Sequence, residues 1–76
     1  MIDGDQIRMA RGALHIGVRE LSKMAKVSVM TITRLENGHS GGHANTIRKI
    51  QGALEVAGVE FIDGDAPGVR LRKKRR

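Results

Sequence analysis

The side chains best suited to chemistry in this chain are hydroxyl, apolar and cationic groups gathered in one short stretch. Arg34 carries a planar guanidinium that can pair with a guanine edge through two hydrogen bonds, worth about 1–3 kcal/mol of discrimination between bases. Thr31 and Thr33 can reach a phosphate or a base, and Val29 and Met30 offer apolar contact to thymine methyl groups. These residues are typical of a surface that reads duplex DNA, although Val29 and Met30 could instead pack inward.

Other polar residues of the same stretch are suited to the DNA backbone. Arg19 opens a predicted helix, where the free amides of the helix N-terminus would help it bind phosphate. The remaining candidates are Lys23, Lys26 and Ser28, which precede Val29, and Asn37, His39 and Ser40, which follow the predicted inward residue Leu35. For each of them, the alternative is an ordinary solvated side chain. The full set of predicted DNA-contacting residues is Arg19, Lys23, Lys26, Ser28, Val29, Met30, Thr31, Thr33, Arg34, Asn37, His39 and Ser40.

Two short helices separated by a tight turn must position these side chains. Apolar residues three or four apart predict helices over residues 18 to 25 and 29 to 37, because such neighbours share one helix face. Ser28 can cap the free amides of the second helix, and Gly38 is suited to a left-handed C-terminal cap. The sequence therefore predicts a helix-turn-helix whose second helix can enter a major groove. The inward residues are Leu21, Met24, Ala25, Ile32 and Leu35.

The amino-acid sequence of residues 21–38 resembles that of the Cro/cI-type (XRE family) helix-turn-helix regulators. The matching residues are Leu21-Ser22, Val27-Ser28, Ile32 and Leu35-Glu36-Asn37-Gly38, of which the last four are the most specific. The resemblance implies a mainly α, lambda-repressor-like bundle of four to five helices over residues 3 to 58. It also implies a bacterial or phage transcriptional regulator, expected to be a repressor, that binds double-stranded DNA in a sequence-specific manner.

The chain departs from that family pattern at two positions. Lys26 stands where the turn usually has glycine, so this residue must accept a strained backbone or a different turn. Val18 stands where a phosphate-binding glutamine is common, so one backbone contact of the family is missing. Glu36 would repel phosphate, and we expect it to act near the Asn37-Gly38 cap or to pair with a base such as Arg11 or Arg48.

Two further helices are predicted around the motif. Asp3 and Asp5 precede a pattern with Ile7, Ala10 and Leu14 on one face, a helix that acids favour at its N-terminus. Gly17 can cap the helix that follows. After a glycine-rich loop from His39 to His43, a helix starts at Asn45 or Thr46 and stops at Gly58; its apolar face contains Ile47, Ile50, Leu54 and Ala57.

A change of period after Gly58 predicts a C-terminal β-hairpin over residues 59 to 72. Both flanking segments alternate apolar and polar residues, and the residues between them favour turns. Val59, Phe61, Val69 and Leu71 are expected on the helical body, with Glu60, Arg70 and Arg72 outward. Many small regulators of the same family have similar Gly-Val-Glu-Phe-Ile and Gly-Val-Arg-Leu-Arg segments here.

The net charge of +6 comes from the C-terminal end. Six of the fourteen Lys and Arg residues lie in the last seven positions, and the remaining eight are matched by eight acids. We therefore divide the chain into a DNA-binding domain over residues 1–72 and a basic, disordered tail over residues 73–76. Such a tail attracts phosphate without reading bases, or it simply aids solubility.

Composition argues against several other functions. The chain lacks cysteine, and it has no apolar run of membrane-spanning length and no signal-peptide pattern, so a soluble cytoplasmic protein is expected. Phe61, the single aromatic residue, argues against stacking of single-stranded nucleic acid. His39 and His43 are four apart but lack a third ligand, so we expect no metal or other cofactor. No pattern of catalytic residues indicates an enzyme.

Two functions from different classes remain open. The first is a DNA-binding regulator that acts as a homodimer, because one domain of this size reads few base pairs. Antitoxins, which also bind a toxin partner, belong to the same family, but no toxin-binding segment is recognisable. The second is a protein-interaction module that keeps the helix-turn-helix fold without reading DNA, which the neutral body and apolar Val29 and Met30 would suit. Salt dependence separates the two, because phosphate contacts weaken steeply with salt.

Overall fold

Four helices and a two-stranded antiparallel hairpin make up the computed structural model, which describes residues 2–39 and 44–72. Those residues therefore form a mainly helical body with a C-terminal hairpin, as the sequence predicts. The glycine-rich segment from 40 to 43 and the basic tail from 73 to 76 lie outside the described residues. The elements are α1 (Gly4–Leu14), α2 (Val18–Ala25), α3 (Val29–Glu36), α4 (Ala44–Val56), β1 (Val59–Ile62) and β2 (Gly68–Leu71).

Helix α1 begins with a reciprocal cap that the sequence interpretation did not identify. The carboxylate of Asp3 accepts a hydrogen bond from the backbone amide of Gln6 at 2.9 Å, and Gln6 Oε1 accepts one from the amide of Asp3 at 3.1 Å. This capping box satisfies two amides that would otherwise lack partners at the helix start. It also fixes the side chain of Gln6, which is buried.

Helices α1 and α2 both end in a left-handed residue that is not glycine. His15 has a φ angle of 59° and Lys26 one of 58°. For Lys26 this confirms that the departure from glycine places a lysine in a strained backbone, a conformation that costs about 1–2 kcal/mol. The Lys26 turn is supported by Ser22, whose carbonyl accepts hydrogen bonds from two turn amides and whose hydroxyl donates to the carbonyl of Val27.

Helix α3 begins and ends at the predicted caps. The Ser28 hydroxyl accepts the amide of Thr31 at 3.1 Å. Gly38 has a φ angle of +85°, and the amides of Gly38 and His39 donate to the carbonyls of Leu35 and Arg34. This paired bonding is the Schellman arrangement, which satisfies the last carbonyls of a helix. Asn37 therefore caps the helix rather than belonging to it, one residue earlier than predicted.

The hairpin pairs Val59 with Leu71 and Phe61 with Val69, so these four residues share a face as predicted. Val59 is buried, and Phe61 and Val69 are half-buried against the helices. The prediction that Leu71 packs on the helical body is wrong: its side chain is 49% exposed. Leu71 is the last residue of β2, and its side chain is exposed even though its pairing partner Val59 on the same face is buried.

The core contains one or more residues from each helix and from β1. The prediction that Met24 faces inward with Leu21 and Ala25 is only partly right, because Met24 remains 39% exposed at the edge of a groove between α2 and α4. The helix pattern assigns a face, whereas burial depends on how closely the neighbouring helix approaches. The buried apolar residues are Ile2, Ile7, Ala10, Leu21, Ala25, Ile32, Ile50, Leu54 and Val59.

Candidate nucleic-acid interface

Helix α3 leaves one mixed apolar and cationic face in solvent. Ile32 is fully buried and holds the opposite side of the helix in the core. Val29, Met30, Thr33 and Arg34 are all exposed, and Met30 is 68% exposed. The alternative in which Val29 and Met30 pack inward is therefore wrong. This face combines a guanidinium, a hydroxyl and two apolar side chains on a helix whose N-terminal end is accessible.

The hydroxyls at the start of α3 are already engaged with each other. Ser28 Oγ and Thr31 Oγ1 lie 2.8 Å apart and share a hydrogen bond, while Ser28 Oγ also accepts the Thr31 amide. Thr31 is half-buried rather than exposed. A hydroxyl retains acceptor capacity after one such bond, but contacts from these two residues would have to preserve the cap. Thr33 is the freer hydroxyl on this face.

The predicted backbone-contacting residues lie on both sides of α3 in the chain. Arg19 is exposed in the first turn of α2, and Lys23 is exposed in its last turn. Beyond α3, Asn37 and His39 are exposed around the glycine cap. Ser40 lies outside the described residues.

Lys26 belongs to a second surface. It lines a groove between α2 and α4 together with Arg48 and Lys49, two bases of α4 that were not among the predicted site residues. These three residues lie far apart in sequence, and the packing of α2 on α4 brings them together. Lys26 is therefore close in sequence to the exposed residues of α3, but it lines a different surface, the groove between α2 and α4.

Three contacts from α1 hold the C-terminal end of α3. Arg11 forms a two-bond ion pair with Glu36, with Nε and Nη2 at 2.7 and 2.8 Å from the two carboxylate oxygens. Arg8 donates to the backbone carbonyl of Glu36. Gly4 lies so close that a Cβ there would overlap the carbonyl oxygen of Leu35 and sit 2.7 Å from its carbonyl carbon.

The Arg11–Glu36 pair realises one of the two pairings predicted for Glu36. Glu36 is 7% exposed, and its ion pair with Arg11 compensates the cost of burying a carboxylate at this end of α3. The hydrogen bonds and charge of Glu36 raise the pKa of Arg11, although burial acts in the opposite direction. The contacts of Arg8 and Gly4 were not predicted, because no local pattern signals contacts between α1 and residues about thirty positions later.

Across residues 2–39 and 44–72, no group of three or more His, Asp or Glu side chains could hold a metal ion. His39 is exposed, whereas His43 lies outside those ranges. Within the same ranges, no helix is both long and apolar enough to cross a membrane.

Comparison with known proteins does not extend these observations: no protein-family model and no curated protein matches this chain.

Proposed function

We propose that this chain is a transcriptional regulator, acting as a repressor, that binds double-stranded DNA in a sequence-specific manner. In this proposal the described helices form a lambda-repressor-like arrangement, α2 and α3 act as the helix-turn-helix, and α3 inserts in the major groove. The resemblance of residues 21–38 to XRE regulators supports this assignment. Two copies would bind half-sites about 34 Å apart, since a single recognition helix contacts few base pairs.

The observation that carries the proposal is the exposed face of α3. A helix of a small domain normally directs its apolar residues inward, yet α3 leaves Val29 and Met30 in solvent beside Thr33 and Arg34. Apolar groups next to a guanidinium suit a major groove, where thymine methyl groups and guanine acceptors lie side by side. Among the described residues, the guanidinium of Arg34 forms no hydrogen bond and no ion pair, so it is available for a base.

The test begins with selection of preferred sites from a library of randomised duplexes. Binding of a selected duplex and of a scrambled duplex is then measured by fluorescence anisotropy. Arg34→Ala should weaken binding to the selected duplex by about 5- to 150-fold, corresponding to 1–3 kcal/mol, and should relax preference at one base pair. Arg70→Ala is the matched control, because it removes the same charge from an exposed strand residue. The control should leave the ratio of the two affinities unchanged.

The rival interpretation, an antitoxin or interaction module that recognises protein through α3, draws on the same exposed Val29 and Met30. Salt separates the alternatives because phosphate contacts release counterions and apolar protein contacts do not. Failure to select any duplex at low salt would contradict the DNA-binding proposal. So would backbone amide shifts that, on titration with the selected duplex, cluster away from residues 28–37.

A further inference from the structure

A groove between α2 and α4, with a volume of about 660 Å³, is lined by apolar and cationic side chains. Met24 of α2 and Ala53 and Val56 of α4 contribute apolar surface, and Val56 is 89% exposed. The groove is open to solvent rather than enclosed. An exposed apolar surface of this kind is stabilised when a partner covers it.

Within residues 2–39 and 44–72, every charged residue that lines the groove is a cation. Lys26 belongs to the turn after α2, and Arg48 and Lys49 lie in the first half of α4. None of the three forms an ion pair with another described residue, and the guanidinium of Arg48 bonds the neutral side chain of Asn45 at 3.3 Å. The groove is therefore complementary in charge to an acidic partner.

Two residues that line this groove are unfavourable for the local backbone. Lys26 has a φ angle of 58°, in the left-handed region that favours glycine. Gly52 lies within α4, where most other residues would stabilise the helix better. A Cβ at Gly52 would meet nothing within 4 Å, so packing among the described residues does not require glycine there. Departures from local preference are expected at functional positions: here the lysine adds charge to the groove and the glycine leaves space in it.

The shape of the groove favours a helix as its occupant. The residues of α4 that line it extend along one face from Arg48 to Val56, a distance of about 12 Å, which about two turns of a second helix would cover. Apolar residues three or four positions apart on that helix could enter the groove. A DNA backbone would pair with the cations but leave the apolar surface uncovered. A bilayer takes up a protruding apolar face, whereas this apolar surface lies in a groove.

From these observations we propose that the α2–α4 groove docks an amphipathic helix of another protein. The apolar residues of that helix lie in the groove, and its acidic residues lie beside Lys26, Arg48 and Lys49. One helix covers less area than a standard stable interface, so the dissociation constant is on the order of 10–100 µM. The described residues that line the groove all lie outside α3, so the proposal does not depend on DNA binding.

The probe for the first test is a fluorescein-labelled helical peptide of about 18 residues, with leucine at every third or fourth position and glutamate on both sides of that row. A second peptide has lysine in place of every glutamate. In anisotropy titrations, the full chain should bind the glutamate peptide at least about tenfold more tightly than the lysine peptide. The backbone amide shifts that the glutamate peptide causes should cluster in residues 24–26 and 48–57.

A charge reversal tests the cations of the groove. Arg48→Glu should weaken binding of the glutamate peptide by at least about tenfold, because like charges then meet. Arg34→Glu is the matched control, since it makes the same change at an exposed helical position that does not line the groove. The control should change the affinity by less than about twofold, because charges far from the groove are screened by salt.

A glycine replacement tests the space in the groove. Gly52→Gln should raise the melting temperature, because glutamine is a better helix former than glycine, and should weaken the glutamate peptide by at least about tenfold. Gly12→Gln is the matched control, because Gly12 also lies in a helix where a Cβ meets nothing within 4 Å. It should raise the melting temperature and leave the affinity unchanged. Loss of binding in a more stable variant cannot come from unfolding.

Several results would overturn the proposal. They are no binding of either peptide up to about 1 mM, equal affinities for the two peptides, and equal weakening by a groove variant and its control. Shifts of groove amides when the chain alone is concentrated would make a second copy the occupant. Shifts caused by phosphatidylglycerol vesicles but not by the glutamate peptide would make the occupant a membrane. A chain that binds neither peptide but selects a duplex would overturn this docking site and leave the proposed DNA binding standing.

Discussion

The Arg11–Glu36 ion pair is the residue contact on which the position of α3 depends most directly. Replacing Arg11 by Leu leaves a nearly buried carboxylate without its charge partner, a change that typically costs about 3–5 kcal/mol. A domain of this size has a total stability of only about 5 kcal/mol, so Arg11→Leu should lower the urea midpoint sharply or unfold the protein. Chemical denaturation followed by circular dichroism measures the difference.

An exposed ion pair of the same chemistry provides the control. Arg70 and Glu60 lie 2.8 Å apart across the hairpin, but both side chains are accessible to water. Arg70→Leu should therefore change the free energy of unfolding by less than about 1 kcal/mol. Equal losses for Arg11→Leu and Arg70→Leu would mean that burial of the Arg11–Glu36 pair does not govern its contribution.

The raised pKa of Arg11 also has a consequence for pH dependence. A cation whose pKa is raised on folding stabilises the protein fully below the unfolded pKa, and this contribution is lost only as pH rises through the higher, folded pKa. For arginine both values lie far above neutrality. The stabilisation by Arg11 should therefore be constant throughout the neutral and mildly alkaline range.

Among the elements, the hairpin is joined to α1 by the hydrogen bonds of a single side chain, Gln6. Gln6 Nε2 donates to the carbonyls of Ile62 and Gly68 at 3.1 Å each, and these two residues form the ladder pair next to the connecting loop. Because Gln6 also completes the cap of α1, one amide group joins the helix start to the hairpin. A two-stranded ribbon is marginal by itself in water, so this attachment complements the partial burial of Phe61 and Val69.

Replacing Gln6 by Leu should destabilise the protein by about 1–3 kcal/mol, since it keeps the volume but leaves three backbone groups without their partner. The melting temperature should fall by about 4–8 °C for each kcal/mol. Gln51→Leu on α4 is the control, because the Gln51 amide bonds only the exposed Glu55 among the described residues. Equal melting temperatures for the Gln6→Leu and Gln51→Leu variants would contradict the conclusion that Gln6 stabilises the attachment of the hairpin.

The sequence predicted the elements better than it predicted their contacts. The bounds of α2 were predicted correctly, and Ser28 and Gly38 marked the caps of α3, because caps depend on residues within a few positions of each other. The contact between Gln6 and the hairpin joins residues 56 and 62 positions apart, and no local period records such a distance. The exposure of Met24 and Leu71 likewise depends on neighbouring elements rather than on alternation.

In the candidate site, too, local features were predicted and contacts between distant elements were not. The outward residues of α3 could be read from the helix period once Ile32 and Leu35 were assigned inward. The engagement of Thr31 by Ser28 was less apparent, because the hydroxyl pair depends on side-chain rotation within the cap. The grouping of Lys26 with Arg48 and Lys49 was not predictable, since only the packing of α2 against α4 creates it.

At the scale of the whole molecule, the excess positive charge is concentrated at the C-terminal end of the sequence. The bases and acids of residues 1–69 balance, so the excess charge belongs to the C-terminal end. Deleting Lys73 through Arg76 removes four cations, each of which can neutralise one phosphate near DNA. The salt slope of log affinity should then become shallower by up to about 3.6, with similar losses for selected and scrambled duplexes.

Anisotropy titrations at several salt concentrations measure that slope for the full and shortened chains. An unchanged slope and affinity would mean that these four residues serve solubility. If only the preference for the selected duplex were lost, residues 73–76 would contact bases in a groove. That outcome would contradict the assignment of base recognition to α3 alone.

The residues that attach α3 to the rest of the domain are different from the residues that it exposes to solvent. Its fixed positions are Ile32 in the core, Glu36 under Arg11, and the backbone beside Gly4. None of these is among the exposed positions 29, 30, 33 and 34. Variation at those four positions therefore leaves these three attachments intact, and substitutions at exposed positions usually alter stability by less than about 0.5 kcal/mol. The outer face of α3 can therefore change while the core that supports it stays the same. Proteins descended from one ancestor with this fold could then differ in what this face binds without any change in the core.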